Sequence, residues 1–198
     1  MNEKAQAWLG NLLGWGQRRQ ATDAETLYAE TVRLARNPAF FDTYGVADDV
    51  DGRFDVLSLI VALVMRKLKT LDDDGKALSQ QLFDSMFADM DLSLREMGAG
   101  DIGVSKRVRA MAEAFMGRLE SYVYAIDNND KNYFSAALKR NLFRGNGTID
   151  PLGNGLVDYL FALAKEIDNL PKDKVLAGKL DIKSVSYTHL TLPTSYAV

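Results

Sequence analysis

Few residues in this chain are of a type and spacing that could do chemistry. Asp51-Gly-Arg-Phe-Asp55 places two carboxylates at i and i+4, on one face of a helix, where such a pair can bridge magnesium ions holding a diphosphate. All-helical prenyl-transferring enzymes use pairs of this kind. They need a second acidic pair on a facing helix, and no other Asp here is followed by an Asp four residues on. The competing reading is structural: Asp51 caps the helix and Asp55 favours its dipole. Asp84, Asp89 and Asp91 fall on a helix whose Met and Phe stripe belongs in a core, so they read as its solvated side. There is no cysteine, and the one histidine is His189, so the serines and threonines lack an activating base. Gly98-Ala-Gly100 is followed by Asp101 rather than by a phosphate-loop lysine. Catalysis, a metal centre and a bound cofactor are therefore not expected.

The elements that must position these residues are helical. Residues 1–20 carry Trp8, Leu12 and Trp15 at i, i+4 and i+7, with Arg18 and Arg19 after them. That is an amphipathic segment whose tryptophans and cations suit a membrane interface; docking on the protein's own core is the other possibility. Glu3 and the lack of a small-residue cleavage site argue against a secretory signal. A helix is expected from Thr22 or Asp23 to Asn37, ahead of Pro38, and a loop from Pro38 to Val50 holds Phe40, Phe41 and Tyr44. Gly52 to Leu71 is apolar nearly all round, yet its longest unbroken apolar run, Leu59 to Met65, is far short of the roughly 20 residues a membrane span needs. This reads as a buried central helix. Beyond a turn at Asp72-Asp73-Asp74-Gly75, stripes run from Leu78 to Met97 and from Val104 to Ile126, and shorter helices are expected over 132–143 and 156–170. The fold class is all-α, with 21–183 forming one compact multi-helix domain.

Composition agrees. The 198 residues are 47% hydrophobic and 26% charged, and the net charge of -3 supplies no positive field for nucleic acid. Residues 184–198 are set apart, because Val185-Ser-Tyr-Thr-His-Leu-Thr-Leu-Pro-Thr194 looks like a translated sequencing-library adapter; His189 lies within it. On this reading the natural C-terminus beyond about Lys183 is missing.

One feature breaks a local rule. With a helix starting near Val104, Lys106, Arg107 and Arg109 put cations at its positive end. Either salt bridges to Asp91, Glu96 or Asp101 offset them, or an acidic or phospholipid partner does.

Pro38-Ala-Phe-Phe41, Gly45-Val46, Asp51-Gly-Arg-Phe-Asp55, Leu82-Phe-Asp-Ser-Met-Phe-Ala-Asp-Met-Asp91, Leu94-Arg-Glu-Met-Gly98, Gly100-Asp101, Lys106-Arg-Val, Met111-Ala-Glu-Ala-Phe115 and Gly117-Arg118 follow one another in order. Together they resemble the ubiquinol-cytochrome c chaperone family over roughly residues 27–118, with an echo at Ala137-Leu138 and Arg140-Asn-Leu-Phe143. Ile60 stands where members often carry His, and Met116 where they carry an aromatic residue. The resemblance implies an all-helical protein without enzyme activity that binds newly made cytochrome b and helps to assemble ubiquinol-cytochrome c reductase. It also implies that a small partner protein acts with mitochondrial members.

The charged residues expected to meet that client are Asp51, Arg53, Asp55, Asp91, Arg95, Glu96, Asp101, Lys106, Arg107, Arg109 and Arg118. The expected location is the cytoplasm, peripheral on a bacterial inner membrane, or the matrix side in a mitochondrion. The alternatives are a magnesium-dependent prenyl-diphosphate enzyme using Asp51 and Asp55, and a helical ligand-binding regulator with a closed apolar pocket.

Overall fold

The structure, a computed structural model, describes residues 15–98, 100–145 and 148–182, with side chains from residue 23 onward except at 102. Every described element is a helix: α1 Trp15–Ala35, α2 Ala39–Asp42, α3 Val50–Leu68, α4 Asp72–Glu96, α5 Asp101–Asp127, α6 Lys131–Asn141, α7 Leu156–Asp168 and α8 Lys172–Leu176. The all-α reading holds.

Helix α3 is the centre of the bundle. Each residue from Phe54 to Val64 is buried, because α1, α4, α5 and α7 all pack against it. An element covered on every side has no solvated stripe to mark in sequence, which is why its apolar pattern runs nearly all round. Ile60 is fully buried in this helix, as part of its apolar core. Burying an aliphatic or aromatic side chain of this size contributes about 1.5–3 kcal/mol, so α3 is the main source of cohesion.

Local chemistry sets the helix ends. Asp49 accepts a hydrogen bond from Gly52 N at 2.7 Å and is the N-cap of α3; Asp51 lies in the first turn and is not the cap expected from its position. Gly52 has no room for a side chain, since a Cβ there would fall 2.0 Å from the Ala47 carbonyl oxygen. Asp130 caps α6 by accepting from Tyr133 N at 2.9 Å.

Several boundaries differ from the sequence reading. α1 is already helical at Trp15, so no break separates it from the preceding segment near Gln20. The Pro38–Val50 stretch contains the short α2, whose Phe40 is buried against Tyr44 and Tyr159. Asp72, Asp73 and Asp74 do not form a turn but open α4, where their charge complements the positive end of the helix dipole. α8 follows Pro171, and Leu180 and Ile182 beyond it are buried. Arg33 of α1 donates to the carbonyls of both, at 3.2 and 3.4 Å, which ties this last segment to the bundle.

The most consequential difference is at α5. It begins at Asp101, one turn before Val104, with the acidic Asp101 in its first turn. Lys106, Arg107 and Arg109 therefore lie beyond the first turn, where the dipole no longer penalises cations appreciably. The local rule is not broken.

Candidate functional site

The first turn of α3 faces a set of arginines. Asp55 is 2% exposed, and its Oδ1 lies 2.6 Å from Nη1 of Arg118, whose side chain is 17% exposed. Its Oδ2 accepts from Arg144 Nη2 at 3.3 Å, and Arg144 Nη1 donates to Asp51 Oδ2 at 3.0 Å. Arg107 reaches the other Asp51 oxygen at 3.9 Å. The Arg118 guanidinium also lies over the Phe54 ring, 5.8 Å from its centroid. Burial pushes the Asp55 carboxyl above the usual carboxylate range, with Arg118 and Arg144 opposing the shift.

This network removes the magnesium reading. Both carboxylates already face guanidinium groups, and a dication would have to displace or repel those cations. Among the described residues, no group of three metal-ligating side chains is placed to hold an ion.

Beside the network runs an open groove of about 790 Å³ between α1, the α2 region, α3, α4 and the start of α5. Val32, Phe41, Phe54, Leu57, Met90 and Leu94 are among its apolar lining residues. Val50 and Met97, which also line it, are 57% and 54% exposed. Charges of both signs ring it: Arg36, Arg53 and Arg107, and Asp42, Asp48, Asp51, Asp89 and Glu96. Arg53 pairs with Asp48 at 2.7 Å and lies 5.7 Å from the Phe41 ring centroid, and Tyr28 donates to Asp89 at 2.6 Å. An apolar floor inside a mixed-charge rim suits a segment of another protein. The closed pocket that the regulator reading requires is not what is found, because this groove is open.

The charged residues singled out in the sequence fall into three places. Asp51, Arg53, Glu96 and Arg107 line the groove. Asp55 and Arg118 lie in the adjoining network with Asp51 and Arg107. Asp91, Arg95 and Asp101 form a separate cluster at the α4–α5 turn, where Arg95 contacts Asp91 at 2.5 Å and also Asp101. None of the expected bridges from Lys106, Arg107 or Arg109 to Asp91, Glu96 or Asp101 forms: Arg107 faces Asp51, and Arg109 pairs with Glu113 at 3.1 Å along its own helix. Lys106 is exposed. Trp8 and Leu12 lie outside the described residues, as do the side chains of Trp15, Arg18 and Arg19.

Sequence reasoning missed Arg144 and most of the apolar floor. Arg144 comes from distant chain and has a positive φ of 52°, which nothing in its neighbours' types announces. The floor residues look like ordinary core in sequence, because a groove wall and a buried face share one periodicity.

The model of the family described as "Ubiquinol-cytochrome C chaperone" matches residues 42–183. The chain belongs to the ubiquinol-cytochrome C chaperone family. The match takes in α3 to α8 and with them the arginine network and most of the groove. The ubiquinol-cytochrome-c reductase complex assembly factor 1 of Xenopus laevis is 25% identical over 142 residues, covering 71% of this chain and 70% of that protein. The crystal structure of the Cbp3 homolog from Brucella abortus is similar with a TM-score of 0.76 and 31% identity, covering 88% of this chain and 94% of that one. A ubiquinol-cytochrome C chaperone with this fold is a non-enzymatic assembly factor, and Asp51 and Asp55 are held in ion pairs within the chain.

Proposed function

We propose that this chaperone holds newly made cytochrome b before it enters ubiquinol-cytochrome c reductase, by receiving a client segment in the groove between α1, α3, α4 and α5. The observation that carries the reading is the exposure of Val50 and Met97 at the lip of an apolar groove rimmed by both charge signs. A client that must later insert into a membrane offers apolar segments flanked by charged loops, and such a groove shields the first while the rim orients the second. The rim residues are Asp51, Arg53, Glu96 and Arg107. Lys106 and Arg109, exposed on the same stretch of α5, and the Asp91–Arg95–Asp101 cluster extend the contact surface.

The same reading puts the protein at a membrane surface, on the cytoplasmic side of a bacterial inner membrane or the matrix side of a mitochondrion. Among the described residues no helix is long and apolar enough to cross a membrane, so contact would be peripheral, through Trp8, Leu12, Trp15, Arg18 and Arg19. A small partner protein is compatible with this arrangement and would occupy other surface.

The test is capture of cytochrome b translated in a cell-free reaction containing vesicles. Met97→Lys, which places a charge on an exposed position, should leave the fold intact and reduce capture about tenfold, equivalent to about 1.4 kcal/mol. Undiminished capture would place the client elsewhere.

A further inference from the structure

We propose that the concavity between the start of α3, α5 and the end of α6 binds a phosphate group, carried by a lipid headgroup or free in solution. The hollow has a volume of about 490 Å³ and adjoins the groove without being part of it. Four arginines line it: Arg107 and Arg118 from α5, Arg140 from α6, and Arg144 just after α6. Among the described residues, the carboxylates that line it are Asp51 and Asp55. Four guanidinium groups against two carboxylates leave a surplus of two positive charges in one hollow.

The pairing shows where that surplus lies. Asp55 has one oxygen on Arg118 and the other on Arg144, and Asp51 is held by Arg144 at 3.0 Å. Arg107 reaches Asp51 only at 3.9 Å, and Arg140 is exposed with no ion-pair partner among the described residues. Arg140, and Arg107 beyond its long contact with Asp51, can thus present N–H donors to an incoming anion. Guanidinium is the side chain best matched to phosphate oxygens, since its planar fork donates two parallel hydrogen bonds.

The backbone holds this geometry in place. Gly145 N bonds the Lys139 carbonyl at 2.8 Å and Phe143 N bonds the Leu138 carbonyl at 3.2 Å, which turns the chain back over the end of α6, and Arg144, two residues beyond the C-cap Leu142, has a positive φ of 52° that favours glycine. An arginine there is strained, and its side chain is spent on Asp51 and Asp55. Arg144 and Arg118 together balance the two carboxylates, which leaves the charge of Arg107, in long contact with Asp51, and of Arg140 as the surplus.

The inference does not depend on the client reading, and its test uses the full chain. Arg140→Gln removes no ion pair, so the variant should fold with an unchanged melting temperature. Inorganic phosphate at constant ionic strength should raise the melting temperature of the wild type saturably, and Arg140→Gln should weaken that response by about fivefold or more in apparent affinity. Sedimentation with vesicles separates the two sources. Tighter binding to phosphatidylcholine vesicles containing phosphatidylglycerol than to phosphatidylcholine alone, lost in Arg140→Gln, assigns the site to lipid; a phosphate response with no such preference assigns it to free phosphate. Arg144→Gly, which relieves the backbone, provides a second variant expected to weaken the same response. Absence of any phosphate or headgroup effect overturns the proposal, and so does Arg140-dependent binding of a glutamate-rich peptide without a phosphate response.

Discussion

Arg118 and Asp55 meet at 2.6 Å where the core opens toward α5, and the carboxylate of that pair is sealed from solvent while the guanidinium keeps one edge at the surface. Removing the cation leaves the buried carboxylate with only the longer contact to Arg144. Arg118→Met is expected to cost about 3 kcal/mol at neutral pH, because a buried charge that loses its nearer partner is more expensive than the lost attraction. Urea unfolding measures it, and a loss below about 1 kcal/mol, the level of an exposed pair, would contradict it.

The pH dependence follows from the direction of the Asp55 shift. Burial raises its folded pKa against the opposing pull of Arg118 and Arg144, so the folded state holds the proton more tightly than the unfolded state. The stability from this linkage is fully present below the ordinary carboxylate range and is lost as pH rises through the folded value. Asp55→Asn does not titrate. The melting-temperature difference between wild type and Asp55→Asn should shift in favour of the wild type between about pH 7 and about pH 4. A difference that is flat, or that moves the other way, would show that the arginines dominate.

At the start of α3 the two neighbouring aspartates separate cleanly. Asp49→Ala removes the cap on Gly52 N and should cost about 1 kcal/mol, with Asp49→Asn costing a few tenths. Asp51→Asn keeps an acceptor for Arg144 and should cost less than about 1 kcal/mol. Equal losses for Asp49→Ala and Asp51→Ala would return the cap to Asp51.

Gly52→Ala tests packing against propensity. An alanine inside a helix ordinarily gains about 1 kcal/mol over glycine, but here its Cβ would meet the Ala47 carbonyl at 2.0 Å. The variant should be less stable than the wild type by thermal unfolding, and a stabilised protein would show that the entry loop yields.

For the N-terminal segment, Trp8→Ser with Trp15→Ser should reduce binding to neutral and anionic vesicles alike, because tryptophans anchor through the interface and not through charge. Unchanged binding would remove this segment from the membrane contact.

How far the sequence could be read depended on how local each signal was. The apolar sweep from Phe54 to Val64 announced a central helix, since burial on all sides leaves a pattern in the residues themselves. Boundaries were less legible: Asp72-Asp73-Asp74 has the composition of a turn and the charge of a helix start, and the structure uses the second property. The site was legible only in halves. Asp51 and Asp55 stood out by spacing, but their partners Arg118 and Arg144 come from residues 63 and 89 positions beyond Asp55. Such pairings are made by packing, which no local period records. Misplacing the start of α5 by one turn was enough to make the positions of Lys106, Arg107 and Arg109 look anomalous.

The central claim is that the groove receives cytochrome b, and site-specific photo-crosslinking tests it most directly. A photoreactive residue at Val50 or Met97, at the groove, should join to newly made cytochrome b in cells, whereas one at Tyr133, exposed on α6 and outside the groove, should not. Crosslinks from Tyr133 with none from Val50 or Met97 would contradict the account.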